Sequence, residues 1–352
     1  MCSLSLATTV LKNLETSSSI GMFARDTGGC LVSRLGLSRS KDESKEISFA
    51  ELSESAIFYF SAPMLAKMSA GGFAKANGIT KEQLTTNFKD LSKLKDNKTI
   101  KAAKLGKFAQ IGTTFSLILP MVFGIAPLRN IMTLAGSGKK EFTTVVGLEN
   151  KNNIKQKQEA KNKASKLIKN LGVAALTGIG ATLGLAAAAK NKNIYKNFEP
   201  ILNKTIKHFD FTKNGDLKLS HYGALIYPVS IASYFYASRD KYEKLENARR
   251  FSITVPLMFF GEKFIQNPIY KKFDKIFKTN VYNNGDIKTY KDIFKLPKPE
   301  QSKMLKAKNW SYALTFTTNT MAIAGAVALL NRIATKQKFE RENRSKTGEK
   351  NG

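Results

Sequence analysis

The apolar residues of this chain are gathered into blocks. Phe108 to Leu128 holds 21 residues without a charge, Leu171 to Ala189 holds 19, Leu219 to Ser238 holds 20 and Asn309 to Asn331 holds 23. As helices with a rise of about 1.5 Å per residue, these blocks match the ~30 Å hydrocarbon thickness of a bilayer. Long helices buried in water-soluble proteins carry a polar stripe, and these blocks have none. Two further blocks are interrupted by charge, Ala56 to Phe73 by Lys67 and Phe251 to Ile265 by Glu262 and Lys263. A lysine near a helix end extends its stem and leaves its ammonium at the interface, so such an interruption is compatible with a span.

The pattern predicts an all-α integral membrane protein with about six transmembrane helices near 56–73, 108–128, 171–189, 219–238, 251–267 and 309–331, paired as three helical hairpins. Residues 1–50 read as a polar, partly disordered N-terminal region in which Leu4 to Leu14 forms a short amphipathic surface helix. Residues 51–335 form the membrane domain and 336–352 a charged, partly disordered tail.

Two polar connections echo each other. Ile194-Tyr195-Lys196-Asn197-Phe198-Glu199 matches Ile269-Tyr270-Lys271-Lys272-Phe273-Asp274, and Asn214-Gly215-Asp216-Leu217-Lys218 matches Asn284-Gly285-Asp286-Ile287-Lys288. Matched blocks in the same order indicate a duplicated unit, 171–250 and 251–335. Ile194, Phe198, Ile201, Leu202, Ile206 and Phe209 follow helical spacing, as do Ile269, Phe273, Ile276 and Phe277. Both stretches read as short amphipathic helices at head-group level, with lysines toward lipid phosphate. Each Asn-Gly pair suits a two-residue β-hairpin turn, whose central positions both need positive φ. A third copy rests on periodicity: Ile79, Leu84, Phe88 and Leu91 follow the first span, opened by a capping box from Thr80 to Gln83.

All ten arginines fall on one side of the three-hairpin arrangement, and Arg129, Arg239, Arg250 and Arg332 directly flank spans. Lysine and arginine together divide 28 against 27, so only the arginines set the topology. They place the N- and C-termini in the cytoplasm, the membrane being a bacterial cytoplasmic membrane. Gly180, Gly184 and Ala188 in span three, and Ala322 with Ala326 in span six, form small-xxx-small rows that favour close helix packing. Span three, rich in alanine and glycine, is expected to sit among its neighbours. The other spans carry Pro63, Pro120 with Pro127, Pro228 and Pro256, and each proline frees a carbonyl that needs another partner.

Charge adds partners but no chemistry. With 57 basic and 27 acidic side chains the net charge is +30, which draws anionic head groups. The lysine runs lack aromatic interleaving, which argues against nucleic acid. Cys2, Cys30, His208 and His221 are too few and too scattered for a metal centre, and no catalytic or cofactor-binding constellation stands out. Asp210 to His221 imitates a calcium loop but has His221 where a bidentate glutamate belongs. Ala135 to Lys140 imitates a phosphate loop without its first glycine or its Ser/Thr after lysine. Glu51 and Glu54 share a helix face and read as a solvated pair.

Three hairpins of two spans resemble the general plan of mitochondrial carriers, whose odd spans carry a proline followed by an acidic and then a basic residue. Here Pro63 and Pro256 are followed by Met64-Leu65 and Leu257-Met258, and span three has no proline. The chain is therefore assigned to no family. The expected function is a non-enzymatic scaffold or membrane-organising protein whose lysine-rich surfaces contact anionic lipid, a protein partner or a second copy of the chain. The alternative is a transporter or channel for an anionic solute.

Overall fold

A computed structural model describes residues 6–16, 23, 26–94, 96–150, 154–209, 219–257 and 262–348. In chain order the α-helices are α1 (Leu6–Thr16), α2 (Val32–Gly36), α3 (Lys41–Ala56), α4 (Ala62–Ala76), α5 (Lys81–Leu84) and α6 (Asn97–Ser137). They continue with α7 (Phe142–Val145), α8 (Lys157–Ala188), α9 (Lys192–Phe209), α10 (Leu219–Ala237), α11 (Lys241–Pro256) and α12 (Glu262–Phe277). After strands β1 (Tyr282–Asn283) and β2 (Asp286–Ile287) come α13 (Tyr290–Ile293), α14 (Lys298–Thr320) and α15 (Val327–Gly348). Wider π-helical turns occupy Asp26–Leu31, Ile57–Ser61 and Met321–Ala326.

The fold is all-α. Among the described residues, three helical stretches are long and apolar enough to cross a membrane: Asn97–Ser137, Lys157–Ala188 and Lys298–Ser345. That is fewer than the six expected, for reasons visible in the residues. In α10, His221, Tyr222, Tyr227, Tyr234 and Tyr236 dilute the apolar character, while Lys67 and the π turn at Ile57–Ser61 interrupt the first block. The fifth block is polar at Glu262 and Lys263, and residues 258–261 lie outside the described residues.

Two compact units make up the chain: residues 1–52, 139–152 and 238–352 in the first, and 53–138 with 153–237 in the second. The second unit is built on α6, against which α4, α8, α9 and α10 pack. At 41 residues this helix is about 60 Å long, roughly twice a hydrocarbon layer. Its start is capped by Asp96, which accepts from the Thr99 amide, and it ends at Gly138 with φ +75°. The Ala135–Lys140 stretch is therefore a helix C-terminus, which carries the negative end of the dipole and suits no phosphate. Fully buried Ile118, Leu202, Ile206 and Ile226 form the core. Pro127 leaves the Phe123 carbonyl without its helical donor, and the Ser233 hydroxyl of α10 donates to it.

The amphipathic reading of 194–209 holds as helix α9, with Leu202 and Ile206 buried, but Ile194 and Ile201 are 46% and 58% exposed. Their spacing puts both on the outward face, beside Lys204. In α12 the inward residues are Tyr270, Phe273 and Phe277, whereas Ile276 is 58% exposed. The hairpin expected at Asn284-Gly285 is present, with φ of +46° and +99° and Tyr282 paired with Ile287. Its counterpart at Asn214-Gly215, like most of the calcium-like loop, lies outside the described residues.

Thr80 and Gln83 form the expected capping box around α5, and Leu84 at its end is fully buried. Thr289 and Asp292 repeat the device around α13, which ends on fully buried Ile293. Both terminal regions, read as partly disordered, contain helix. Residues 26–52 are largely helical, and α15 continues to Gly348 with Phe339 buried against Phe142 and Tyr242.

Candidate functional site

The described polar chemistry concentrates in the first unit, around a hexapeptide that occurs twice. Ser38-Arg39-Ser40-Lys41-Asp42-Glu43 and Ser238-Arg239-Asp240-Lys241-Tyr242-Glu243 share four residues at a spacing of 200, and Glu46 and Glu246 extend the match. In each copy the third residue caps the following helix: Ser40 Oγ accepts from the Glu43 amide, and Asp240 accepts from the amides of Tyr242 and Glu243. Each cap fixes the arginine just before the helix and aims the glutamate one turn later back at it.

The arginines then bind reciprocally. Arg39 contacts Glu43 of its own copy and clamps Glu246 of the other with both terminal nitrogens, at 2.8 and 3.1 Å. Arg239 contacts Glu243 of its own copy and clamps Glu46 of the other, at 2.7 and 2.9 Å. The Phe142 ring of α7 lies under both guanidiniums, 5.3 and 5.7 Å from their carbons. Asp240 also accepts from the Thr143 amide, and Lys139 pairs with Asp42 at 3.0 Å. Burial opposes the charge on both arginines, but hydrogen bonds and the fields of the surrounding glutamates outweigh it and hold both pKa values above the ordinary value. Planar forks against carboxylates and over a ring are geometries that lysine cannot reproduce. The network can fix one arrangement of helices.

A second cluster surrounds Lys308 at the start of the sixth apolar block. Lys308 is 2% exposed, its ammonium 2.6 Å from Glu15 and 5.4 Å from the ring centres of Tyr270 and Tyr290. Glu15 also accepts from the Tyr290 amide at 2.7 Å, and Tyr290 donates to Asn309 at 2.8 Å.

The arginines expected to set the topology are mostly engaged by the protein. Arg239 belongs to the network. Arg129 is buried, bonded to Asn130 and over the Tyr234 ring, and Arg250 pairs with Glu51 at 3.2 Å. Arg332 is exposed and reaches the Leu37 carbonyl at 3.5 Å. Glu51, read as solvated beside Glu54, is 7% exposed and held by Arg34 and Arg250; in the second unit, Glu54 accepts from the Ser230 hydroxyl.

The small-residue rows also turn out differently. A Cβ added at Gly180 or Gly184 meets nothing within 4 Å, and Ala188 and Ala326 are exposed; the Ala322 side chain lies outside the described residues. The contact face of α8 is Ala164, Leu171, Ala175, Gly178, Thr182 and Ala186, a stripe two positions away from the glycine row. There Gly178 admits Ser116 of α6, whose Oγ would lie 2.6 Å from an added Cβ, and Gly124 of α6 admits Leu171 at 2.7 Å. Helix α8 therefore packs along one seam and is exposed elsewhere.

No protein-family model, curated protein or solved structure matches this chain. Among the described residues no group of His, Cys, Asp and Glu is placed to hold a metal ion. Arg39, Glu43, Glu46, Glu243, Glu246, Phe142 and Lys308 were not singled out by the sequence reading. The signal for most of them was the repeated Ser-Arg-x-Lys-x-Glu, hidden by its distance.

Proposed function

We propose that the chain is a multi-pass membrane protein of six spans with a non-enzymatic role. It organises or scaffolds the membrane, with its lysine-rich surfaces contacting anionic head groups. Helix α8 carries this reading. Its stretch from Leu171 to Ala189 is uncharged all round, yet Val173, Leu176 and Leu183 are 56%, 70% and 43% exposed. A helix apolar on every side needs an apolar medium on every side, and lipid supplies what the single protein seam does not. Exposed Lys166, Lys169, Lys190 and Lys192 bracket that stretch, where head groups lie. On α9, Ile194 and Ile201 point outward close to Lys204, a composition suited to the interface. The arginine-bearing ends of the spans and the C-terminus face the cytoplasm.

Two measurements test this. Membranes holding the chain are extracted with alkaline carbonate; retention is expected, and release would overturn the membrane assignment. The detergent-solubilised protein is then unfolded thermally with phosphatidylglycerol or phosphatidylcholine added. A higher Tm with the anionic lipid is expected, and equal values would remove the head-group role.

A second reading, a transporter or channel for an anionic solute, is favoured by one observation. Ser311 and Thr315, just beyond Lys308, are 1% and 6% exposed with hydroxyls that lack a partner among the described residues. An unmet buried hydroxyl costs roughly 1–3 kcal/mol, so a solute or water that meets it would have a reason to enter. Uptake of inorganic phosphate into proteoliposomes, abolished by Lys308→Met, would favour this reading over the first.

A further inference from the structure

The sixth apolar block is flanked at both ends by the same stretch of chain. At its start, Glu15 of α1 pairs with Lys308 at 2.6 Å, and Asn309 donates to Thr8 at 2.7 Å. Further along, the turn Asp26–Leu31 packs on the turn Met321–Ala326, and a Cβ added at Gly325 would lie 3.9 Å from the Ser33 Cβ. At its end, the Leu37 carbonyl accepts from Arg332 at 3.5 Å. The N-terminal stretch thus meets the sixth block at entry, middle and exit, in the same direction.

From Lys308 to Arg332 a helix spans about 36 Å. That exceeds a ~30 Å hydrocarbon layer. If the sixth block crosses the bilayer, its two ends lie on opposite sides, and so do the N-terminal residues fastened to them.

We propose that the chain passes from one side of the membrane to the other between Glu15 and Leu37, which places α1 on the side opposite Lys41 and the end of α15. This rests on the membrane reading above and revises its expectation for the N-terminus. The exposure of α1 fits: Thr8 is 4% exposed, facing the protein, while Leu6 and Val10 are 82% and 48% exposed. At the level of Lys308, an outward apolar face meets the head-group boundary. Apolar periodicity missed the crossing because Arg25 and Asp26 divide it. The crossing carries the backbone of Asp26 to the depth of Met321–Ala326, near the middle of span six.

The test uses the full chain with Cys2→Ser and Cys30→Ser and one new cysteine at a time: Leu6→Cys, Lys41→Cys or Asp286→Cys, all at exposed positions of the first unit. Sealed vesicles are treated with a membrane-impermeant maleimide, and labelling is normalised to permeabilised vesicles; Ala7→Cys replaces Leu6→Cys if lipid shields the latter. Positions 6 and 286 are expected to label from one side and position 41 only from the other. Labelling of position 6 together with 41, with 286 opposite, would overturn the crossing and leave span six standing. All three labelling from one side would show that span six does not cross, so the membrane topology itself would fail.

Discussion

Two regions of this chain join helices by opposite means. Along the α6–α8 seam, glycine, alanine, serine and threonine let two helices approach until Gly178 lies against Ser116. Around Arg39 and Arg239, charge pairs across two copies of one hexapeptide bind Glu246 and Glu46 over a shared ring. The seam works by shape and fails when volume is added. The network works by matched charge and fails when one partner is removed. Close packing of small residues and polar contacts are two separate attractions between helices, and the chain uses each in a different unit.

The largest effect is expected in the network. Arg239→Ala leaves Glu46 and Glu243, 6% and 3% exposed at their side chains, without their cation, and should destabilise by about 3–5 kcal/mol. Removing all three charges together, as Arg239→Met with Glu46→Leu and Glu243→Leu, should recover most of that loss, because burying the ions was itself unfavourable. Arg39→Ala should resemble Arg239→Ala, since the two occupy reciprocal places. Thermal unfolding in detergent measures all three. A loss for Arg239→Ala within the roughly 0–1 kcal/mol of an exposed pair would show that the network does not lock the helices.

The seam predicts a change of sign between neighbouring glycines. Gly180→Ala meets open space and should stabilise by about 0.5–1 kcal/mol, because glycine is a poor helix residue. Gly178→Ala must displace Ser116 and should destabilise, and Gly178→Leu should cost about 1–3 kcal/mol. The same unfolding measurement reads both. If Gly180→Leu proved as harmful as Gly178→Leu, the assigned contact face would be wrong, or a second molecule would occupy the outer one.

Legibility in the sequence followed the range of the forces involved. Helical class, the long uncharged blocks, the α5 capping box and the Asn284-Gly285 turn could be read because each depends on residues within a few positions. The outward face of α8 could not: alanine and glycine line every side between Leu171 and Ala189, so no periodicity tells the seam from the exposed face. Ile201 and Leu202 are adjacent and equally apolar, yet only packing on α6 made one buried and the other exposed. The Arg39 and Arg239 copies were individually plain surface motifs, and only the reciprocal pairing gives them meaning.

The smallest expected effect concerns a device present in both units. Thr80→Ala and Thr289→Ala each remove a helix cap ahead of a fully buried residue, Leu84 or Ile293, and each should cost about 1 kcal/mol. Acid should separate them. The partner of Thr80 is Gln83, which does not titrate, whereas the Thr289 hydroxyl and amide hold the Asp292 carboxyl below the usual carboxylate range. A carboxylate with a folded pKa lower than its unfolded value contributes stability above the unfolded value, about 3.9. It loses that contribution as pH falls toward and through the folded one. Amide exchange at Asp292 should therefore speed up relative to Gln83 as the solution is acidified from neutral, once intrinsic rates are divided out. A constant ratio down through that window would mean that burial of Ile293, rather than the charged cap, holds α13 in place.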